Sequence, residues 1–407
     1  MRRSRGRGLA GALVLILSLT ALFPVPSSLF AFERIAFVDS FDFVTTFDCE
    51  TKAGTSQILD HVLLTGADTI LWRHQTGGVV RFPTDEEPCV RLNGIVDKRR
   101  IPDTRVFGWA RLEAGETNLL AYALAEAKAR GIGAGIHYTF EENHHCAFTF
   151  GAWNLEHPQY WVRRIDGRPY PGRCSFAFDE VLEHKMRLLD ELLASGAETI
   201  YLDCWRNGGW SPAQEYVEPV LAAWKAKYGC EPPKDALDPR WLGLIGTYQD
   251  RYLRAIRARL DRSPRPVRLL LGLSDQTLED DVMWRRFAID WKRLAADGTV
   301  DGIVVASVVP GSVPGPADVW EKTRQIYAYV MRNRGKAKVY LPVPEYGYMY
   351  GIPSYCRDAG VGKAEATRRL LELARDAGAD GIVMECVDYG NYTPEMCELI
   401  RNFNPGR

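Results

Sequence analysis

The 407-residue chain has no Cys-x-x-Cys pair, no His-Glu-x-x-His, no Gly-x-Ser-x-Gly elbow and no Walker loop. These gaps speak against the common redox and zinc motifs, zincin peptidases, α/β-hydrolase esterases and P-loop nucleotidases. No Gly-x-Gly-x-x-Gly follows an early strand, so a dinucleotide-binding open sheet, the competing fold, has no fingerprint. Histidine is scarce at seven residues, and His144 and His145 are adjacent, so on an extended strand they point apart. The barrel metallohydrolases commonly place His-x-His after their first strand, where this chain reads Phe47-Asp48-Cys49-Glu50. Neither a metal nor another cofactor is therefore expected.

Basic blocks are also missing beyond the start of the chain, which argues against a nucleic-acid partner. The one long apolar run, Leu9 to Phe23, follows Arg2, Arg3, Arg5 and Arg7. It falls short of the roughly 20 residues of a membrane span and has the order of an export signal, so residues 1–31 are expected to be a signal peptide or an N-terminal anchor. The expected location is secreted, periplasmic or in the cell envelope, with membrane contact only if that segment is retained. Without those four arginines the remainder holds 47 basic and 52 acidic residues, a formal charge of −5. A neutral or weakly charged substrate suits that balance. Nine cysteines leave at least one outside any intramolecular disulfide, and their spacing does not fix a pairing.

No Pro/Ser/Gly-rich linker interrupts residues 32–407, which read as one domain. Within it one phrase recurs: Gly66-Ala67-Asp68-Thr69-Ile70-Leu71-Trp72, Gly196-Ala197-Glu198-Thr199-Ile200-Tyr201-Leu202, Asp301-Gly302-Ile303-Val304-Val305 and Gly378-Ala379-Asp380-Gly381-Ile382-Val383-Met384. It reads as a glycine-stopped helix, a tight turn and a short apolar strand. Five residues beyond each acid stand Arg73, Asp203, Ala306 and Glu385.

Eight strands are expected at 44–47, 69–72, 133–138, 199–203, 268–273, 302–307, 338–343 and 381–385, with Ile35 to Val38 as an extra edge strand. Helices are expected between them, at 54–64, 117–129, 248–260, 284–295 and 318–333. Two more show apolar residues at helical spacing, at Leu182, Met186, Leu189 and Leu193 and at Ala366, Leu370, Leu373 and Ala377. The alternation predicts an α/β fold, a (β/α)8 TIM barrel with long loops after strands 2 and 3. Parity along the strands turns Ile200, Leu202, Ile382 and Met384 toward the helices and Tyr201, Asp203, Val383 and Glu385 inward.

In such a barrel the C-terminal strand ends carry the chemistry. Asp203, Glu345 and Glu385 are the candidate catalytic carboxyl groups, and two carboxyls are what glycosidic hydrolysis requires. Asp203 with Glu345 is the leading pair and Glu385 the reserve. Arg73 and Arg206 could hold a carboxylate ionised. His137, Glu141, Trp72, Tyr138, Trp205, Trp210, Tyr346 and Tyr389 are the remaining candidates for contact with a carbohydrate, since rings with polar handles pack on sugar faces.

From Ser175-Phe176-Ala177-Phe178-Asp179-Glu180-Val181 through Thr199-Ile200-Tyr201-Leu202-Asp203-Cys204-Trp205-Arg206 the chain resembles the bacterial family-10-type glycosyl hydrolase-like proteins. Those show an (Asp/Asn)-Pro-Glu-Val-like helix start, a long helix and a strand ending in Asp-x-x-Arg. His157-Pro158-Gln159-Tyr160-Trp161 is similar to the segment that precedes this unit in related chains. The resemblance implies an exported TIM-barrel glycosidase acting on polysaccharide or glycoconjugate, with the Asp203 position in the active centre. The chain departs from the pattern at Cys204 and in carrying Glu385. A catalytically inactive carbohydrate-binding barrel is the alternative expectation, and a metal-dependent hydrolase a more distant one.

Overall fold

The computed structural model describes residues 32–39, 43, 46–48, 51–76, 79–80, 82, 118–139, 152–204, 211–273, 282–306, 316–343, 360–385 and 392–405. The expected export segment lies outside them. Among the described residues no helix is long and apolar enough to cross a membrane.

Eight parallel strands close into a barrel: β1 (Glu33–Val38), β2 (Thr69–Arg73), β3 (Gly133–Thr139), β4 (Thr199–Asp203), β5 (Arg268–Leu273), β6 (Gly302–Val305), β7 (Lys338–Pro342) and β8 (Gly381–Met384). Each pairs with its sequence neighbours, and β1 closes the ring against β8 with Glu33 opposite Gly381. The fold is therefore the (β/α)8 barrel that the alternation predicts.

The first strand requires a correction. Ile35 to Val38 is no edge addition, because it pairs with β8 on one side and with Thr69 to Trp72 on the other. Of the strand expected at 44–47, Val44 and Thr45 lie outside the described residues, and Thr46 and Phe47 are not in a strand: their amides both donate to the Phe43 carbonyl at 2.9 Å, as in a turn. Two helices differ as well. The one expected at 248–260 begins at Pro239, capped by Asp238. The one expected at 284–295 is two helices, Val282–Phe287 and Trp291–Asp297, separated where Ala288 adopts a φ of 52°.

The recurring phrase has a structural cause. Gly66, Gly196 and Gly378 all adopt positive φ just beyond a helix. The acid that opens the following turn, two residues after Gly66 and Gly378 and three after the positive-φ Gly298, then clasps a neighbouring strand at its start. Asp68 Oδ2 accepts from the Arg34 amide at 2.9 Å, Asp301 Oδ2 from the Leu269 amide at 2.7 Å, and Asp380 Oδ2 from the Val339 amide at 2.9 Å. Each also meets an arginine: Arg34, Arg257 and Arg334 respectively. Glu198 departs from this pattern and pairs with Lys128. The acid thus sets strand register at the N-terminal rim, and register fixes which residue ends each strand inward.

Side-chain parity divides the core in two. Ile35, Phe37, Leu71, Tyr201, Leu270, Val304, Tyr340 and Val383 form the barrel interior, whereas Ile200, Leu202, Ile382 and Met384 join the layer against the helices. Strand β3 gives no apolar residue to the interior. A Cβ on its Gly135 would lie 2.5 Å from Leu71 Cδ2, and one on Gly272 of β5 would lie 2.5 Å from the Tyr201 hydroxyl. These glycines make room for large side chains from other strands, so the barrel is filled and not a pore.

Below the rings a polar plug closes the N-terminal end. Glu33 accepts from Arg268 Nη1 and Nη2 at 2.8 and 2.9 Å, from the Tyr340 hydroxyl at 2.8 Å and from Thr69 Oγ1 at 2.6 Å. Burial works to raise the Glu33 pKa, but the Arg268 guanidinium and these donors outweigh it and hold it at about 2. Burial and the same carboxylate push the Tyr340 hydroxyl upward.

Of the segments after β2 and β3, the described parts include two small antiparallel ribbons, Gln75–Thr76 with Val79–Val80 and Trp161–Arg163 with Pro169–Cys174.

Candidate functional site

Five neighbouring strands, in the order β8, β1, β2, β3 and β4 around the barrel, end in inward ionisable residues: Glu385, Asp39, Arg73, His137 and Asp203. All are buried, at 0 to 7% exposure. The next two strands end differently, in the buried apolar residues Leu273 and Ala306. The polar groups form an arc on one side of the barrel mouth.

Register brings the arc together in pairs. Arg73 pairs with His137 across β2 and β3, and Asp203 of β4 stands beside Thr139 of β3. His137 Nε2 lies 2.5 Å from Asp203 Oδ2, and with a carboxylate opposite, the nitrogen donates. Arg73 Nη1 donates to Asp39 Oδ2 at 2.5 Å. Arg73 Nε and Nη2 have no hydrogen-bond partner among the described residues. The Tyr392 hydroxyl donates to the Glu385 carbonyl at 3.0 Å, which ties the end of β8 to the segment beyond it.

The His137 ring rests on an aromatic floor. Its centroid lies 5.2 Å from Phe37 and 5.0 Å from Tyr201, and those two rings stack at 4.5 Å. Its backbone is held from behind: His74 Nδ1 lies 3.0 Å from the His137 carbonyl. Burial above all holds the His74 pKa down to about 3, with the nearby cations adding to that effect, so the ring is neutral. A carbonyl only accepts, which assigns the proton to Nδ1 and leaves Nε2 bare, without a partner among the described residues. Cys204 follows Asp203, and burial, aided by that carboxylate, pushes its thiol well upward. It is a poor nucleophile at neutral pH.

The structure thus brings together Asp203, Glu385, Arg73 and His137 from the sequence candidates. Trp72 and Tyr138 do not join them. They alternate with Arg73 and His137, so they pack in the helix-facing layer, where the Tyr138 hydroxyl meets that of Tyr252 at 3.4 Å. Both therefore leave the set of substrate contacts. Glu345, Glu141, Trp205, Arg206, Trp210, Tyr346 and Tyr389 lie outside the described residues.

Asp39 and His74 escaped the sequence reading. Asp39 stands directly after the apolar run Ile35 to Val38, which the sequence pattern marks only as an edge strand. His74 carried no motif. Some loop aromatics pin the chain to itself: Trp153 stacks on His184 at 4.1 Å and on His157 at 4.2 Å, and Trp161 Nε1 donates to the Asn154 carbonyl at 2.6 Å.

Among the described residues no cluster of three or more His, Cys, Asp or Glu has the arrangement of a metal site.

No protein-family model matches the chain, and no curated protein does. Solved structures do. An alpha-L-fucosidase isoenzyme 2 from Paenibacillus thiaminolyticus superposes with a TM-score of 0.53 at 14% identity, covering 91% of this chain and 48% of its own. A beta-galactosidase from the Antarctic haloarchaeon Halorubrum lacusprofundi gives 0.54 at 12% identity, covering 86% and 52%. A beta-galactosidase from the psychrophilic Marinomonas ef1 gives 0.53 at 11% identity, covering 86% and 53%. The chain spans about half the length of these three proteins. The likeness is one of fold: its structural neighbours are glycoside hydrolases built on TIM barrels.

Proposed function

We propose that the chain is an exported glycoside hydrolase that cleaves polysaccharide or glycoconjugate bonds at the C-terminal face of its barrel. One observation carries the reading: the buried arc of ionisable residues at five adjacent strand ends, with Asp203 clasped by His137 at 2.5 Å. Clusters of that kind at this end of a barrel are where enzymes of the fold place their chemistry. The glycosidase neighbours support the class, and the resemblance around Asp203 supports the residue. The basic and apolar start of the chain supports export.

Asp203 is assigned the role of the ionised carboxylate. His137 donates to it, fixes its orientation and favours its charged form. Attack on the anomeric carbon, or activation of water for that attack, then falls to Asp203. The second carboxyl protonates the departing oxygen. Glu345, after β7, is the first choice, and Glu385, inward at the end of β8, is the alternative.

The separation of the two groups decides the stereochemical course: roughly 5–5.5 Å retains configuration and roughly 6.5–9.5 Å inverts it. The test is the anomer first released, followed by NMR, together with rates for Glu345→Gln and Glu385→Gln. Loss in one of these variants, with activated leaving groups still cleaved, identifies the acid. Full activity in both overturns the carboxyl-pair assignment.

A second reading has one observation in its favour. Asp203 is wholly buried and closed by His137, which also suits a structural pair in a non-catalytic carbohydrate-binding barrel. That reading predicts glycan affinity without turnover.

A further inference from the structure

Gly243 and Gly246 stand inside the helix Pro239–Asp261, where a glycine costs stability relative to alanine. The two differ in what a side chain would meet. A Cβ on Gly246 would lie 3.1 Å from the Ala288 carbonyl oxygen and 3.2 Å from the Trp284 ring, so close packing accounts for that glycine. A Cβ on Gly243 would meet nothing within 4 Å. It borders a cavity of about 340 Å³ between this helix and residues 284–294, in the helical layer that flanks β5. None of the arc residues lines it. The volume is at the low end for small-molecule pockets, roughly 300–1,000 Å³.

Part of the wall is apolar, made by the buried Leu253, Ile289 and Leu294 and the half-buried ring of Trp284. Ala288 also lines it, so the left-handed residue at the helix break, costly for a side chain with a Cβ, belongs to the cavity. The rest is polar. Asp290 Oδ1 accepts from the Arg293 amide at 3.1 Å, while Oδ2 stands 3.8 Å from Arg293 Nε. Arg293 Nη2 donates to Asp250 Oδ1 at 2.7 Å, while Nη1 stands 3.9 Å from Asp297. Those two longer separations exceed a hydrogen bond, so one acceptor and two donors stay available to a ligand. The Thr247 hydroxyl donates to the Leu244 carbonyl at 2.7 Å and can still accept.

The chemistry of the wall selects the ligand. Arg293 stands with the Asp250 and Asp290 carboxylates, so an anion drawn to it meets them and a cation drawn to them meets it. A hydroxyl donates and accepts without that conflict. A pyranose ring carries several hydroxyls around an apolar face, and such faces pack on aromatic rings.

We propose that this cavity is a second carbohydrate site, which takes a short neutral saccharide by packing it on Trp284 and hydrogen-bonding its hydroxyls to Asp290, Arg293 and Thr247. It is separate from the arc and does not depend on the glycosidase reading.

The test is ligand-observed NMR titration of the purified protein with methyl glucoside, methyl galactoside, cellobiose, maltose and lactose. Glucuronate and glucosamine serve as charged analogues. Each titration is repeated with Gly243→Gln and Asp290→Asn. Glutamine favours the helix, its Cβ is unobstructed and its side chain fills the cavity. Asparagine keeps the helix cap and removes the carboxylate.

The expected result is saturable binding of a neutral saccharide that weakens at least about tenfold in Gly243→Gln, whose melting temperature is equal to or above that of wild type, and about threefold in Asp290→Asn. A sugar held at the arc alone would keep its affinity in both variants. Unchanged affinity of every neutral saccharide in Gly243→Gln therefore overturns the proposal, as does failure to bind any of them. So does tighter, Gly243-dependent binding of either charged analogue. If Gly243→Gln does not fold, Asp290→Asn decides, and unchanged affinity there overturns the proposal. Binding of this kind without turnover of any glycan leaves the second site standing and removes the glycosidase reading. Turnover with affinities unchanged in both variants does the reverse.

Discussion

His137 and Asp203, inward at the ends of adjacent barrel strands, meet at 2.5 Å above the stacked rings of Phe37 and Tyr201. The pair exists because the register of β3 and β4 sets Tyr201 opposite His137 and Asp203 opposite Thr139, so the inward side chains of His137 and Asp203 meet across a two-residue offset. Replacing His137 by Gln removes the charge-assisted donor while keeping much of the shape. Under the proposed function, kcat falls by about 10² to 10⁴-fold, with a smaller change in KM. Initial rates on whichever glycan the protein cleaves, alongside circular dichroism of the variant, provide the check.

Acid stability follows from Glu33. Its folded pKa of about 2 lies below the ordinary 4.5, so its contribution is complete above pH 4.5 and is lost as pH falls toward 2. The upper bound is about 3 kcal/mol. Urea unfolding at pH 5 and at pH 3 should show a larger loss in wild type than in Glu33→Gln. Equal losses would remove Glu33 from the account.

His74 acts in a different window. Its folded pKa of about 3 is below the ordinary 6.5, so the unfolded chain takes up a proton first. Stability is full above pH 6.5 and declines as pH falls toward 3, by at most about 5 kcal/mol. In His74→Gln the slope of unfolding free energy between pH 6.5 and 4.5, above most of the Glu33 range, should flatten. An unchanged slope would mean that His74 is protonated in the folded protein.

The strands were largely legible because parallel barrel strands, covered on both faces, read as apolar runs, and here a repeated glycine and acid mark where several begin. Counting from that acid located Arg73, Asp203 and Glu385. Strand β1 is harder to read because no such phrase precedes it, and the β-branched Val44-Thr45-Thr46 imitates a strand just before Thr46 and Phe47, whose amides turn back to the Phe43 carbonyl. Asp39 was hidden with it. The helix break at Ala288 has one trace in sequence, the Asp290 that caps the second helix; alanine itself favours continuing a helix, and only the tertiary fold imposes its positive φ. The pairing of His137 with Asp203 could not be read either, because it depends on the stagger between strands.

The acid of the repeated phrase is structural, and Asp380 tests that. It accepts from the Val339 amide and from Arg334, at 2.9 and 2.6 Å. Asp380→Ala should cost about 1–2 kcal/mol of stability. Activity below the unfolding transition should stay unchanged, which thermal melts and rates on the same sample will show.

Cys204 is placed beside Asp203 without a chemical role. Its buried, raised thiol should resist iodoacetamide at neutral pH in the folded protein, and Cys204→Ala should keep turnover within about threefold. Rapid labelling with matching loss of activity would reopen the question of its role.

The most direct test of the central claim is sugar release from a broad panel of poly- and oligosaccharides by the purified protein and by Asp203→Asn, with folding of both verified. The account predicts turnover by wild type and a loss of at least about 10³-fold in the variant. Equal turnover by both proteins, or glycan binding with no turnover by either, would contradict it.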